Sequence, residues 1–179
     1  DALIADVADT VVSGGAGYDF VYVTGAGNFS INAGASGVEW IRGLDGNDTL
    51  NGASHVTAFT AYGGNGADTI TGGSVGDVLF GEGGDDVITG GAGGDVLIGG
   101  GGADDFVFAA GWGSDLVTDF QNGLDQFDMA ALAGSGVTSI ANLTITAQGA
   151  DALISWNGNS ILVQNAAGQI DSSDFIFGP

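Results

Sequence analysis

The stretch GGNGADTIT-GGSVGDVLF-GEGGDDVIT-GGAGGDVLI-GGGGADDFV, residues 63–107, consists of five nonapeptides that follow one another without a gap. Every nonapeptide has an acid at its sixth position and an apolar residue at its eighth. The sixth-position acids are Asp68, Asp77, Asp86, Asp95 and Asp104. A glycine-rich turn, a carboxylate and a short apolar strand that recur every nine residues indicate a parallel β-solenoid.

The two halves of the nonapeptide have different chemistry. Glycine prevails at the first, second and fourth positions, and we expect positive φ there, which a side chain penalises by roughly 1–2 kcal/mol. Such a turn directs successive carbonyl oxygens to one side, where the sixth-position carboxylate joins them. Ca²⁺ prefers six to eight oxygen ligands of these two kinds, whereas Mg²⁺ requires a rigid octahedron. The repeat therefore predicts calcium sites.

The last three residues of each nonapeptide are rich in β-branched and aromatic side chains, and strand alternation sends the middle one inward. Two nonapeptides make one coil, so the turns should form two rows, one with Asp68, Asp86 and Asp104 and the other with Asp77 and Asp95. An ion between successive turns of a row gives roughly three complete sites. We predict an all-β chain: a right-handed parallel β-roll or β-solenoid with nonapeptide calcium-binding repeats and a C-terminal β cap.

The repeats resemble those of the RTX family (repeats-in-toxin, hemolysin-type calcium-binding), whose members bacteria export by type I secretion. The resemblance implies that turn carbonyls and sixth-position carboxylates together ligate several Ca²⁺ ions. Two turns depart from the family pattern, because Val75 and Glu82 stand where it has glycine. The implied ligands of the central block are Gly63, Gly64, Asn65, Gly66, Asp68, Gly72, Gly73, Ser74, Asp77, Gly81, Glu82, Gly83, Gly84, Asp86, Gly90, Gly91, Ala92, Gly93, Asp95, Gly99, Gly100, Gly101, Gly102 and Asp104.

Two further matches lie upstream, out of phase with the central block. Residues 14–22 fit the whole nonapeptide, which adds Asp19 to the candidate metal ligands. Residues 43–51 fit all but the second glycine, which adds Asp48. Asp48 precedes Asp68 by 20 residues rather than 18, so we predict a two-residue bulge near the single histidine, at position 55.

The chain divides into three parts by the regularity of its repeats. We predict irregular β-solenoid coils with isolated repeats over 1–62, the nonapeptide roll over 63–107, and a capping β segment over 108–179. The start of the last part resembles the segment that closes RTX rolls, which implies that Asp119 ligates a terminal Ca²⁺; a solvated loop acid is the alternative. Residues 173–177 resemble an RTX export signal, in which an acid precedes hydrophobic residues.

Strands are expected wherever apolar alternation is bounded by Gly, Asn or Asp, and no segment of the first 62 residues has helical periodicity. Outside the central block, the predicted strands are 10–12, 20–23, 29–32, 38–41, 49–51, 56–62, 143–147, 152–156 and 160–164.

Charge excludes whole classes of partner. The chain has 22 acids against one base, Arg42, and a net charge of −21, so it lacks the basic patch that nucleic acid binding requires. The same charge argues against anionic membranes, and no apolar run reaches membrane-spanning length. Self-repulsion and the glycine content oppose folding, so we predict that the chain folds on binding calcium. The absence of cysteine excludes disulfides.

The one match to an enzyme motif is explained by the nonapeptide repeat in which it lies. Residues 72–76 match the G-x-S-x-G elbow of serine hydrolases, but they lie in register within the repeat, and His55 precedes the serine instead of following it. HExxH is absent. We expect His55 to be an exposed loop residue, and Trp40, Trp112 and Trp156 to lie in the core or the cap, with sugar stacking as the alternative.

Calcium ligation is the only function that the sequence motifs indicate, so we predict an extracellular, non-enzymatic structural module. Adhesion, a surface layer or a self-assembling matrix would be its role, with the solenoid ends as sites of self-association. The alternative is the C-terminal calcium-binding and secretion module of a protease, lipase or alginate epimerase whose catalytic part lies upstream of residue 1. The sequence upstream of residue 1 distinguishes the two.

Overall fold

Short strands alternate between two sheets along the part of the chain that this computed structural model describes, residues 2–6, 14, 15, 17–25 and 27–179. The first sheet contains, in chain order, β1 (Ala2–Asp6), β2 (Phe20–Thr24), β4 (Trp40–Arg42), β6 (Thr60–Asn65), β8 (Val78–Gly83), β10 (Val96–Gly101), β12 (Ser114–Val117), β14 (Thr144–Gln148), β15 (Asp151–Trp156) and β16 (Asn159–Val163). The second contains β3 (Ser30–Asn32), β5 (Thr49–Asn51), β7 (Thr69–Thr71), β9 (Val87–Thr89), β11 (Asp105–Val107), β13 (Gln126–Asp128) and β17 (Phe175–Ile176).

Strand registers follow the repeat. In the second sheet Ile70 pairs with Ile88, which pairs with Phe106, and in the first sheet Leu79 pairs with Leu97. All of these pairings are parallel. Because each partner lies two nonapeptides further along the chain, one coil holds two repeats, and the predicted parallel β-roll is confirmed.

The core is built from the eighth position of each repeat. Ile70, Leu79, Ile88, Leu97 and Phe106 have no exposed surface. Their strand neighbours on either side are half-buried or exposed, as strand alternation requires. Each such side chain contributes roughly 1.5–3 kcal/mol when fully buried, so the repeat secures the interior of the roll one coil at a time.

The bulge predicted near His55 is present. Asn51 pairs with Thr71, 20 residues on, whereas Thr60 pairs with Val78, only 18 residues on. Two extra residues are therefore accommodated between Asn51 and Thr60. Within this loop the N–H of His55 donates to the carbonyl of Gly52 (2.7 Å).

Most predicted strands outside the central block match the structure within one or two residues, but β1, β12, β13 and β17 were not predicted. The strand predicted for 49–51 is exact, whereas those predicted for 38–41 and 56–62 begin only at Trp40 and Thr60. The strand predicted for 10–12 lies outside the described residues. Despite the lack of helical periodicity, one α-helix, α1 (Ala33–Ser36), is present, and 3₁₀ helices cover Ala130–Ser135, Ile140–Asn142 and Ser172–Asp174.

The C-terminal strands close the first sheet. β16 pairs parallel with β12, and β15 and β14 then add in antiparallel order. Trp112 is buried and stacks on Trp156, with ring centroids 5.8 Å apart. These two tryptophans match the prediction of core or cap residues, but Trp40 does not, because it lies on the outer face of β4.

No helix in the described part of the chain is long and apolar enough to cross a membrane.

Candidate metal centre

The sixth-position acids form two rows, as the repeat predicts. The backbone N–H of a sixth-position acid donates to the carboxylate Oδ1 of the corresponding acid in the next coil, for example Asp68 to Asp86 (2.8 Å) and Asp77 to Asp95 (2.9 Å). The structure extends both rows beyond the central block. The long row contains Asp48, Asp68, Asp86, Asp104 and Asp125, and the short row contains Asp77, Asp95 and Asp115.

Asp115 and Asp125 were missed at the level of sequence. They follow Asp95 and Asp104 by 20 and 21 residues, so they fall out of the 18-residue phase. A signal was available, since the 20-residue interval between Asp48 and Asp68 already showed that a coil tolerates two extra residues. Both acids are buried, and each Oδ1 accepts a backbone hydrogen bond of 3.0–3.1 Å from the preceding coil.

The row carboxylates differ in the partner of their second oxygen, Oδ2. Asp77 and Asp125 direct Oδ2 to a backbone N–H of their own turn, at Gly73 (2.5 Å) and Gln121 (2.8 Å). Five others bury Oδ2 without a hydrogen-bond partner, at Asp68, Asp86, Asp95, Asp104 and Asp115. A buried anionic oxygen without a partner is costly, so each of these five calls for a cation.

The first-position glycine makes room for this oxygen. A Cβ placed on Gly63 would meet both Asp68 Oδ2 and the carbonyl oxygen of Gly81, and a Cβ on Gly81 would meet Asp86 Oδ2 and the carbonyl oxygen of Gly99. A carboxylate oxygen of one coil and a carbonyl oxygen of the next therefore converge on the same space. This mixture of donors suits Ca²⁺.

Positive φ occurs at fewer positions of the repeat than predicted. It occurs at the second and fourth positions, for example at Gly64 (121°) and Gly66 (131°), and even at Glu82 (77°), but not at the first-position glycines. The prediction of positive φ at the first position was therefore wrong. Glycine is required there because a side chain would collide with the carboxylate and the neighbouring carbonyl.

The turn of the second repeat is built differently. Neither Gly73 nor Val75 has positive φ. Instead, the N–H and Oγ of Ser74 both donate to the carbonyl of His55 (3.1 Å each). The hydroxyl of the G-x-S-x-G match is thus bound to a backbone carbonyl. In this turn the implied carbonyl ligands Gly72, Gly73 and Ser74 follow a different path from their counterparts in other repeats.

An aromatic pair ends the short row. Phe59 occupies the sixth position one coil before Asp77, and its N–H donates to Asp77 Oδ1 (2.7 Å). Phe59 is fully buried, and His55 stacks on it with ring centroids 5.0 Å apart. The expectation that His55 is exposed was wrong: the ring is 5% exposed because the inserted residues fold it onto Phe59. No carboxylate therefore enters the row at this coil.

The two remaining candidate ligands lie in less regular surroundings. The N–H of Asp19 donates to Glu39 Oε2 (3.0 Å), so a glutamate holds the equivalent place in the next coil. The carboxylate of Asp119 accepts the N–H groups of Gly99 (3.0 Å) and Gly100 (2.8 Å). Asp119 thus lies beside the last turn of the central block, outside both rows.

Burial of the rows changes their acidity. Desolvation, reinforced by neighbouring row acids, raises the pKa of Asp86 and Asp115 to about 7. The same causes raise the pKa of Asp68, Asp95 and Asp104 to about 6. In each row the acids oppose one another's ionisation, and a divalent cation between them would relieve both the burial cost and the repulsion.

Side chains alone do not supply enough ligands for a calcium site. The described residues contain no group of three or more acidic, histidine or cysteine side chains that could hold a metal ion. Each turn supplies only one row carboxylate, so the other ligands must be backbone carbonyls. The carbonyls of Gly83 and Gly101 already accept an N–H from the preceding coil, at 2.7 Å each. A carbonyl oxygen has two lone pairs, so one remains for a metal ion.

Comparison with known proteins agrees with this geometry. The family model of the RTX calcium-binding nonapeptide repeat matches the chain in four copies, over residues 33–55, 60–79, 71–106 and 80–117. The matched residues include both rows from Asp48 to Asp115. No curated protein matches the chain.

Three solved structures are similar to this one. Over 78% of this chain and 93% of the other, the R2 subunit of a mannuronan C5-epimerase from Azotobacter vinelandii is 29% identical, with a TM-score of 0.47. The R3 subunit of that epimerase is 22% identical over 94% and 86% of the two chains, with a TM-score of 0.43. An extracellular lipase from Serratia marcescens is 14% identical over 97% of this chain and 42% of the lipase, with a TM-score of 0.41. On its repeats, its two rows of carboxylates and its parallel roll, the chain contains RTX calcium-binding nonapeptide repeats over residues 33–55 and 60–117.

Proposed function

We propose that this chain is an extracellular structural module that folds when calcium enters the turns of its two rows. The observation that carries the proposal is the set of five buried carboxylate oxygens without a partner, each beside a turn. Saturation of one site at 100 times its dissociation constant contributes about 2.7 kcal/mol. Several sites together therefore match the whole stability of an ordinary domain.

Each orphaned oxygen marks one ion in this proposal. Asp68, Asp86 and Asp104 would each hold an ion in the long row, and Asp95 and Asp115 in the short row. The carbonyls of the adjoining turns, at Gly63, Gly81 and their equivalents, would supply further ligands. This count exceeds the roughly three sites expected from the central block, because the rows continue into the residues that follow it.

Calcium titration followed by far-UV circular dichroism and calorimetry tests the proposal. We expect a largely unfolded chain in EGTA, a cooperative gain of β signal in millimolar Ca²⁺, and about five ions bound per chain. Mg²⁺ at the same concentration is the matched control and should restore little structure. A β spectrum that EGTA leaves unchanged, together with no heat of calcium binding, would contradict the proposal.

The proposed setting is outside the cell, after type I secretion, in adhesion, a surface layer or a self-assembling matrix. Self-association through the solenoid ends is part of this proposal. β1 and β14 form the two edges of the ten-stranded sheet, and β14 runs in the same direction as β1 because two antiparallel steps separate it from β16. A neighbouring copy could therefore add its β1 in parallel to β14. Electron microscopy should show filaments in calcium; only single particles at high concentration would exclude this mode.

A further inference from the structure

The outer faces of the two sheets differ in chemistry. In the second sheet the outward residues are mainly hydroxyl, amide and acid side chains, namely Ser30, Asn32, Thr49, Asn51, Thr69, Thr71, Val87, Thr89, Asp105, Val107, Gln126 and Asp128. In the first sheet the outward residues form two adjacent rows that are mostly apolar, with Arg42, Thr60, Thr118, Asp151 and Gln164 as the polar exceptions. We call these two rows the apolar face.

The part of the apolar face nearest the N-terminus is aromatic. Phe20 and Tyr22 on β2 are followed by Trp40 on β4, Tyr62 on β6 and Phe80 on β8. Neighbouring rings are 4.4–5.8 Å apart, from Phe20–Trp40 at 5.8 Å to Tyr62–Phe80 at 4.4 Å. Three of these contacts are tilted by 46–49°, and Tyr62 and Phe80 are stacked at 4°, so the rings form a continuous packed series along the solenoid.

The other half of the apolar face is aliphatic. Val96 and Ile98 on β10 are followed by Leu116 on β12, Leu162 on β16 and Leu153 on β15. Strand registers align Val96 with Leu116, Leu116 with Leu162, and Leu162 with Leu153. All are half-buried and lie on the solvent side of their strands.

Charge is nearly absent from this face, although the chain carries −21. Its one base, Arg42, lies over the ring of Tyr62, 5.3 Å from the centroid, and its guanidinium donates to both carboxylate oxygens of Glu82 at 2.8 Å. The pair is therefore neutral where it stands. Asp151, at the cap end, already accepts the N–H of Asn165 (2.9 Å). Apart from Asp151, which lies at the cap end of the face, two such faces can approach without burying an unpaired charge.

We propose that the apolar face binds the same face of a second copy, giving a two-fold dimer in which two first sheets pack face to face. Neighbouring strands lie about 4.8 Å apart, so nine strands from β1 to β15 extend roughly 40 Å, and two rows of side chains cover a width of roughly 15 Å. Two copies would bury roughly 1,200 Å², within the range of specific interfaces. Sheets pack in this way at about 10 Å separation.

The order of side chains suits a two-fold axis. A two-fold axis that runs across the solenoid, along the strand direction, turns the second copy end for end and lays the aromatic half of one face against the aliphatic half of the other. Large and small side chains then alternate across the interface. The centre of the nine strands is β8, so Val78 lies nearest the axis. If the second copy were not turned end for end, aromatic rings would face aromatic rings, and gaps would remain beside the leucines.

Three valines at equivalent strand positions provide matched variants. Val78 and Val96 lie on the apolar face, whereas Val87 lies on the polar face of the second sheet, where Val107 is a second outward valine, paired with Thr89 on the strand of Val87. We expect sedimentation in calcium to give a species of twice the 17.5 kDa chain mass at micromolar concentration, whereas the end-to-end filaments proposed above form only at high concentration. The double variant Val78→Glu/Val96→Glu should sediment as a monomer, and Val87→Glu/Val107→Glu should remain dimeric.

Circular dichroism in calcium establishes that each variant is folded, so failure to fold and failure to associate are separate readings. The wild-type chain has no cysteine, which permits a second test that keeps the face apolar. Val78→Cys should form a disulfide between copies on oxidation, whereas Val87→Cys should not. A monomeric wild-type chain at 200 μM, equal dissociation of both glutamate variants, or equal cross-linking of both cysteines would each overturn the proposal.

Discussion

At the scale of single residues, the decisive atom is the second carboxylate oxygen of each row acid. Asp86 buries this oxygen without a partner, while its chain neighbour Asp85 is exposed and its Oδ1 accepts a hydrogen bond from the N–H of Ala103 (2.9 Å). The two acids are adjacent in sequence, yet only one faces the interior of the turn.

We therefore expect Asp86→Asn to weaken calcium binding roughly tenfold, because it removes one charged ligand from a calcium site. Asp85→Asn, the matched control, should change the affinity little. Isothermal titration calorimetry at fixed ionic strength measures both. Equal affinities for the two variants would show that Asp86 ligates no ion.

Two glycine-to-alanine variants test whether the space beside a first-position glycine must stay free of a side chain. Gly63→Ala places a methyl group against Asp68 Oδ2 and the Gly81 carbonyl, so we expect it to destabilise the calcium-loaded roll by about 1–3 kcal/mol, as overpacking does. Gly101→Ala meets nothing within 4 Å and has no unusual φ, so it should be nearly neutral. Urea denaturation in calcium gives both values. A neutral Gly63→Ala would refute the proposed use of that space.

At the scale of elements, the rows depend on how many residues each coil contains. The sequence predicted the coils of the central block correctly because their 18-residue spacing is regular. It failed at Asp115 and Asp125, where longer loops change the phase, and at Trp40, whose position on β4 is set by register rather than by hydrophobicity. Burial of His55 depends on an insertion whose path no local pattern specifies.

The aromatic pair at the end of the short row should be structural. We expect Phe59→Ala to cost about 3–5 kcal/mol through the cavity it leaves. The number of ions bound should not change, because the backbone N–H that Asp77 accepts remains. Val56→Ala in the same loop is the control, since Val56 is 77% exposed. Thermal unfolding and native mass spectrometry, both in calcium, supply the two readings. Loss of an ion would mean that the ring shapes a site after all.

At the scale of the whole molecule, acid should partly replace calcium. Burial raises the pKa of five row carboxylates to about 6–7, above the value they have in the unfolded chain, so the folded state binds more protons between about pH 4 and 7; the five are Asp68, Asp86, Asp95, Asp104 and Asp115. These carboxylates therefore favour folding at low pH, and this contribution is lost as pH rises through 6–7.

In EGTA we expect the β signal to increase as pH falls from 7.5 to 5, and calcium affinity to fall over the same range because protons compete for the same oxygens. Circular dichroism at several pH values, at constant ionic strength, measures the first effect. A β signal in EGTA that declines on acidification would contradict the assigned direction.

The division into 1–62, 63–107 and 108–179 stays a prediction of the sequence. Regular repeats define the central part, but inter-coil pairing continues without interruption from β2 to β13. Fold class followed from the nonapeptide period because that period alone specifies parallel coils. The partners of the chain and the chemistry of its outer faces could not be predicted from the period, because they depend on which outward residues the strand registers bring side by side.

Tension applied along the solenoid would be resisted by the backbone-to-carboxylate bonds between successive coils, which lie parallel to that direction. Phe59, like Phe29 in the long row, has no side-chain carboxylate with which to tie its coil to the one before it, so we expect a stretched molecule to part first in the region of these two residues. The segment beyond this weak joint would hold until its ions were removed, which would make the chain a tether whose strength depends on the surrounding calcium.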